Sequence, residues 1–332
     1  MKTSCRHVID PRGVRAMGHR GFCLMFFLMM YWATPALSEG GKHPGFSGMA
    51  QIKHNKYVVV HDAKTDEKGP RLGIIKIRKD RAPKYRSLEI EDWKHEDGRS
   101  NDLESICALP GRSGEFLMAE SGYQKQHFGR LFHITVHKNT ARVLSVLPLP
   151  LIADNTKKKV GDNFEGLACE SQHGNKVLVV LGERGGSVQY PSGVLRWGWF
   201  DLSTGSLAWP TEGKEGKVIS APGPWVHADS KRDISDLYID HAGILWAVAT
   251  EDPGDNGPYR SVIYQVATIH ENQKDPLQLV QDGKPVWIID GFKIEAISGP
   301  AGIPGEGPLS IGTEDEYFGG VWRPLFPAVE AH

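Results

Sequence analysis

Four acids stand at matching places in a repeated motif. They open Glu104-Ser105-Ile106-Cys107, Glu165-Gly166-Leu167-Ala168, Asp236-Leu237-Tyr238-Ile239 and Glu295-Ala296-Ile297-Ser298, and Ser47-Gly48-Met49-Ala50 opens a fifth copy without an acid. The openings recur at a nearly even interval, stretched only between Glu165 and Asp236. Each is followed by an apolar run, a corner acid (Asp62, Glu120, Glu183, Glu251, Glu314) and, shortly beyond that acid, an arginine (Arg71, Arg130, Arg196, Arg260, Arg323). Carboxyls gathered in one place cannot all stay ionised without a counter-charge. A hard divalent cation, expected to be calcium, would neutralise Glu104, Glu165, Asp236 and Glu295 as its ligands. Such an ion would polarise a substrate oxygen and acidify bound water. Arg71, Arg130, Arg260 and Arg323 are the candidates for holding an anionic group of the substrate. The competing solution pairs acids with arginines as repeated ion pairs, and the corner acids read first that way.

A strand–corner–strand unit recurring so evenly predicts an all-β propeller, because one small sheet cannot bury both of its faces alone. In such a ring the first strand of every unit lines the axis, which brings distant openings together. The runs Tyr57–Val60, Val177–Val180 and Ile244–Val248 are short, apolar and bounded by turn residues, as buried strands are. Arg86–Trp93, Ala141–Leu149 and Val286–Ile289 read as outer strands. The expectation is five four-stranded blades, a sixth having no obvious space, with Lys42–Phe46 or Leu325–Val329 closing the ring. The longest interval, from Glu165 to Asp236, places its excess in Thr204–Asp233, a Gly-, Pro- and Lys-rich surface loop. Helix should be scarce, since no stretch sustains a helical apolar period.

Residues 1–38 read as an export signal. A basic region, with Met1 or Met17 as initiator, leads into Phe22–Trp32, and Ala36-Leu37-Ser38 supplies small residues for cleavage. The rest, 39–332, reads as one propeller domain in the periplasm or secreted, with no integral membrane span after processing. With 39 basic and 40 acidic residues, net charge −1, nucleic acid is not the expected partner; a small anionic or ester substrate is. Lys157-Lys158-Lys159 reads as a solvated loop. Cys107 and Cys169 read as two buried thiols, a disulfide between adjacent units being the alternative. His61, Asp62, His227 and Asp229 read as surface or loop residues, and Asp252, Asp255 and Asn256 form an oxygen-rich turn.

Asn163-Phe164-Glu165-Gly166-Leu167-Ala168 and Lys293-Ile294-Glu295-Ala296-Ile297-Ser298 resemble the phytase-like propeller family described as esterase-like. The Gly69–Gly73 corner and Thr250-Glu251-Asp252 share the resemblance, which spans Gly45–Leu325. It implies an exported bacterial hydrolase of ester or phosphoester bonds. The calcium-bearing alkaline phytases carry an Asp-Asp-Pro motif near the first blade that has no counterpart here, which argues against phytate itself. The Glu-Gly-Leu at Glu165 is also similar to gluconolactonase-like propellers, which implies a lactonase as an alternative. A non-catalytic binding or scaffold protein of the cell envelope is the other class the ring supports.

Overall fold

The apolar run Tyr57–Val60 is wholly buried, and the alternation of a strand explains how. Tyr57 and Val59 enter one hydrophobic cluster, and Val58 and Val60 enter another on the opposite face. A sheet buried on both faces needs a continuous apolar run rather than alternation with polar residues. The computed structural model describes residues 43–327 except 64–68, 80, 94–97, 123–128, 151–162, 172–173, 187–190, 272–273 and 316–318. The expected export signal, Lys42, Lys157–Lys159 and Val329 lie outside the described residues.

The chain makes successive antiparallel meanders. The first holds β1 (Gly48–Lys53), β2 (Lys56–Val60), β3 (Leu72–Arg78) and β4 (Arg81–Glu91). The second holds β5 (Leu103–Ala108), β6 (Glu115–Glu120), β7 (Arg130–His137) and β8 (Thr140–Pro148). The third holds β9 (Phe164–Ser171), β10 (Lys176–Glu183), β11 (Gly193–Asp201), β12 (Ser206–Ala208) and β13 (Lys217–Ile219), with α1 (Thr211–Glu215) between the last two. The fourth holds β14 (Lys231–Ile239), β15 (Ile244–Glu251), β16 (Arg260–Ile269), β17 (Leu277–Leu279) and β18 (Pro285–Asp290). The fifth holds β19 (Ile294–Ser298), β20 (Ser310–Thr313) and β21 (Trp322–Pro324).

The first strand of each meander is the edge of its sheet. β1 packs on β5, β5 on β9, β9 on β14, β14 on β19, and β19 returns to β1. Each hydrophobic cluster draws on two neighbouring meanders, down to one uniting Phe46, Met49 and Tyr57 with Ala296 and Trp322. The ring is closed by residues 43–46: Phe46 N–H donates to the Thr313 carbonyl at 2.9 Å, and Gly320 N–H to the His43 carbonyl at 3.0 Å.

Several expectations need correction. Among the described residues the fifth meander has three strands rather than four, whereas β11 and β16 each pair two outer segments. The outer strands β4 and β8 pair in parallel, joining the first two meanders into one sheet. Thr204–Asp233 is not a plain loop, since it forms β12, α1, β13 and a 3-10 turn at Ala228–Ser230. Cys107 and Cys169 are not free thiols. They form a disulfide with Cα atoms 5.7 Å apart, because β5 and β9 are neighbours and both cysteines face the same inter-meander cluster. No helix among the described residues is long and apolar enough to cross a membrane.

Candidate functional site

Glu104, Glu165 and Glu295 share a local device. In β5 the pairing steps from Leu103 opposite Glu120 to Ser105 opposite Ala119, skipping Glu104. In β9 it steps over Glu165 between Phe164 and Gly166, and in β19 over Glu295 between Ile294 and Ala296. Each glutamate is thus the extra residue of a β-bulge at the start of an inner strand. Bulges re-aim side chains out of the regular pleat. Here they turn three carboxyls from three meanders toward common neighbours.

The counter-charges come from the chain itself. Arg184 Nη1 lies 3.2 Å from Glu165 Oε1. Arg232 reaches Glu295 at 3.2 Å and Asp252 at 2.7 Å. Lys293 Nζ lies 3.0 Å from Glu295 and 3.1 Å from Glu314, and the Ser47 hydroxyl donates to Glu314 at 2.8 Å. All five meanders therefore contribute to one cluster. Burial alone would lower the Arg232 and Lys293 pKa values, but the surrounding carboxylates raise both.

Glu104 differs from its neighbours. It keeps a part-exposed edge, yet it has no hydrogen bond or ion pair to a described residue. Burial, and then the charges of Glu165, Asp102, Glu314 and Glu295, push its carboxyl well above the usual range. Glu295 is likewise raised by burial and by Glu314. Burial pushes Glu314 up too, but hydrogen bonds from Glu295, Ser47 and Lys293 with the Lys293 charge bring it down to about 2. Arg184, Arg232 and Lys293 stand among these acids as the cluster's cations.

Asp236 does not join the cluster. It is fully buried and accepts N–H groups from Leu237 and Ile297, each at 2.8 Å, and from Leu167. It therefore ties β9, β14 and β19 together. The four-ligand calcium site does not fit these residues. Asp236 is saturated by backbone donors, and Glu165 and Glu295 face side-chain cations where a metal would stand. Among the described residues no three His, Cys, Asp or Glu side chains are arranged to hold a metal ion.

The four arginines expected to bind an anion make other contacts or are exposed. Arg130 is locked by Glu120 at 2.6 Å and by the Gly98 and Arg99 carbonyls. Arg260 clamps Asp290 through Nε and Nη2 at 2.6 and 3.1 Å. Arg71 donates to the Ser100 carbonyl at 2.9 Å, and Arg323 is exposed on β21. Ion pairing of corner acid with arginine is seen for Glu120–Arg130 and for Glu183–Arg196 at 2.6 Å. Glu251 instead caps the Val226 and His227 N–H groups. His61 is not a surface residue: it is buried between the Gly45 carbonyl and the Tyr85 hydroxyl. Asp252 of the oxygen-rich turn is held by Arg232.

Sequence reasoning missed Arg184, Arg232 and Lys293. A signal existed: Arg184 directly follows the corner acid Glu183, and Lys293 shortly precedes Glu295, so both flank positions already singled out.

The family model described as "Phytase-like: Esterase-like activity of phytase" matches residues 42–268. The chain belongs to this phytase-like family. The match takes in the first four openings, including Glu104 and Glu165, and ends before Glu295. No curated protein matches the chain. Among solved structures, an endo-1,4-beta-xylanase from Bacteroides thetaiotaomicron aligns at TM-score 0.50 and 10% identity, over 85% of this chain and 94% of that one. An exo-1,5-alpha-L-arabinanase from a bovine ruminal metagenomic library gives 0.48 and 11%, over 88% and 99%. An alpha-L-arabinanase from Cellvibrio cellulosa gives 0.48 and 9%, over 88% and 94%. At such identity the xylanase likeness speaks to the all-β, propeller-like fold alone.

Proposed function

We propose that this phytase-like chain is an exported hydrolase of ester or phosphoester bonds, built as a five-bladed β-propeller, with its reaction centre at the glutamate–cation cluster. The observation that carries the reading is Glu104, an acid without a partner among the described residues whose pKa is raised by burial and by neighbouring carboxyls, Glu165 among them, close to a set of half-buried cations. Protonated carboxyls next to carboxylates supply an acid and a base from one residue type. Glu165 engages Arg184 through Oε1 alone, which leaves Oε2 to accept a proton from water. That water attacks the carbonyl carbon or phosphorus, the bond to the leaving oxygen breaks, and the Glu104 proton passes to that oxygen. Arg184, Arg232 and Lys293 face the negative charge that develops on the substrate. No step runs through a metal, because the cluster's donors already face its own cations.

The Cys107–Cys169 disulfide supports export, since such bridges persist in oxidising compartments. The test is turnover by the purified chain of p-nitrophenyl acetate and p-nitrophenyl phosphate, with and without chelator. We expect chelator-insensitive hydrolysis of at least one, lowered on the order of a hundred-fold by Glu104→Gln and by Glu165→Gln. Turnover that both variants retain in full would overturn the reading, and so would hydrolysis abolished by chelator. Tight capture of an ester without turnover would favour the envelope binding or scaffold role. Turnover of lactones alone would favour the gluconolactonase-like one.

A further inference from the structure

Beyond the Asp236 hydrogen bonds, along the same inner strands, the axis opens into a cavity of about 280 Å³ walled by β1, β5, β9, β14 and β19. That space holds a compact ligand or about nine waters at roughly 30 Å³ each. Every one of these strands is a sheet edge, so their unpaired carbonyls and N–H groups face inward.

Among the described residues the charged ones of the wall are Glu170, Asp240 and His241, with no lysine or arginine. Asp240 is taken up by its own turn and by Trp246 Nε1. Glu170 accepts only the adjacent Ser171 N–H at 2.9 Å and pairs with no cation among the described residues. The Tyr238 and Ser298 hydroxyls in the same wall make no hydrogen bond to a described residue. Burial raises the Glu170 pKa, as expected of a carboxyl awaiting a counter-charge.

We propose that this cavity binds a small organic cation, an ammonium compound of a few carbons, with Glu170 as its counter-charge. The ammonium finds acceptors in Glu170, Tyr238, Ser298 and the strand-edge carbonyls. Ala108 and Pro110 of the same wall are part-exposed apolar residues that can cover its carbon chain. An anion meets no lysine or arginine among the described residues of this wall, only His241 beside Glu170. A neutral polyol leaves the Glu170 charge unmatched.

Titration calorimetry of the full chain with n-propylammonium, n-propanol and propionate tests this. The amine should bind at least ten-fold more tightly than the alcohol, and propionate not at all. Glu170→Gln should remove the preference for the amine, while Glu104→Gln, in the separate cluster, retains it. Amide shifts of Tyr238 and Ser298 in an amine titration give a second readout in the unmodified chain. Equal affinity for amine and alcohol, a preference that survives Glu170→Gln, no binding, or shifts confined to other residues would each overturn the site.

Discussion

Arg232 and Glu295 stand 63 residues apart along the chain, yet their guanidinium and carboxylate meet at 3.2 Å. The contact crosses from the fourth meander to the fifth. It depends on two local irregularities: the bulge that projects Glu295 from β19, and the register break in β14 between Arg232 and Asp236. Regular strands would aim neither side chain this way.

The first prediction follows from Lys293. It serves Glu295, Glu314 and, at 3.7 Å, Asp252. Lys293→Met leaves buried carboxyls without their cation and should cost about 3–5 kcal/mol. Adding Glu314→Gln should recover part of the loss. Denaturant unfolding of both variants measures it; additive losses would mean that the two residues do not interact.

Asp236 supplies a structural prediction that separates it from its sequence counterparts. Asp236→Ala strands three backbone N–H groups, and at about 1–3 kcal/mol for each unsatisfied donor it should destabilise strongly. Asp236→Asn keeps one acceptor oxygen and should lose less. Both differ from Glu104→Gln, which replaces an acid whose pKa the fold raises and should raise the melting temperature at neutral pH. The sign follows from linkage. An acid whose folded pKa lies above its unfolded one loses stability as pH rises, so a neutral replacement gains there.

The same bulges show what the sequence could reveal and where it stopped. The even spacing of the openings disclosed the ring, and strands buried between meanders are apolar on both faces, as Tyr57–Val60 of β2 is. It also brought Glu104, Glu165 and Glu295 together. Asp236 misled because it matches those residues in the sequence but not in the ladder. Asp236 pairs regularly with Val248, whereas each glutamate is skipped. A bulge is a property of two paired strands and leaves little trace in one of them. The corner arginines misled for a related reason: Arg130 and Arg196 have acids within reach in their own meander, and those local pairs consume them.

The disulfide should matter for stability more than for shape. It closes a separation of 62 residues, and the loop-entropy estimate for that length is about 4 kcal/mol. Cys107→Ser with Cys169→Ser, or reduction, should lower the denaturation midpoint by a corresponding amount and steepen the slope, since the uncrosslinked chain unfolds to a less compact state. An unchanged midpoint would mean that the bridge does not form in the folded protein.

His61 predicts an acid-side effect. Burial pulls its pKa down to about 4, against the Gly45 carbonyl and the Glu314 charge, which favour the imidazolium. The folded form therefore binds fewer protons than the unfolded one between pH 6.5 and 4. Stability should fall across that window as pH drops, by up to about 3 kcal/mol. Urea midpoints taken across the window should show this loss, and His61→Gln should flatten it. A slope unchanged in the variant would assign the acid sensitivity to other groups.

The most direct test of the catalytic cluster is the pH dependence of kcat/KM for the ester or phosphoester turned over, measured in chelator for the unmodified chain and for Glu104→Gln. The unmodified chain should show a basic limb, where rate falls as the raised Glu104 carboxyl loses its proton, at a pH well above ordinary carboxylate titration. Glu104→Gln should lose that limb along with about a hundred-fold in rate. An identical profile in the two proteins would contradict the assignment of Glu104 as the proton donor and, with it, the cluster as the reaction centre.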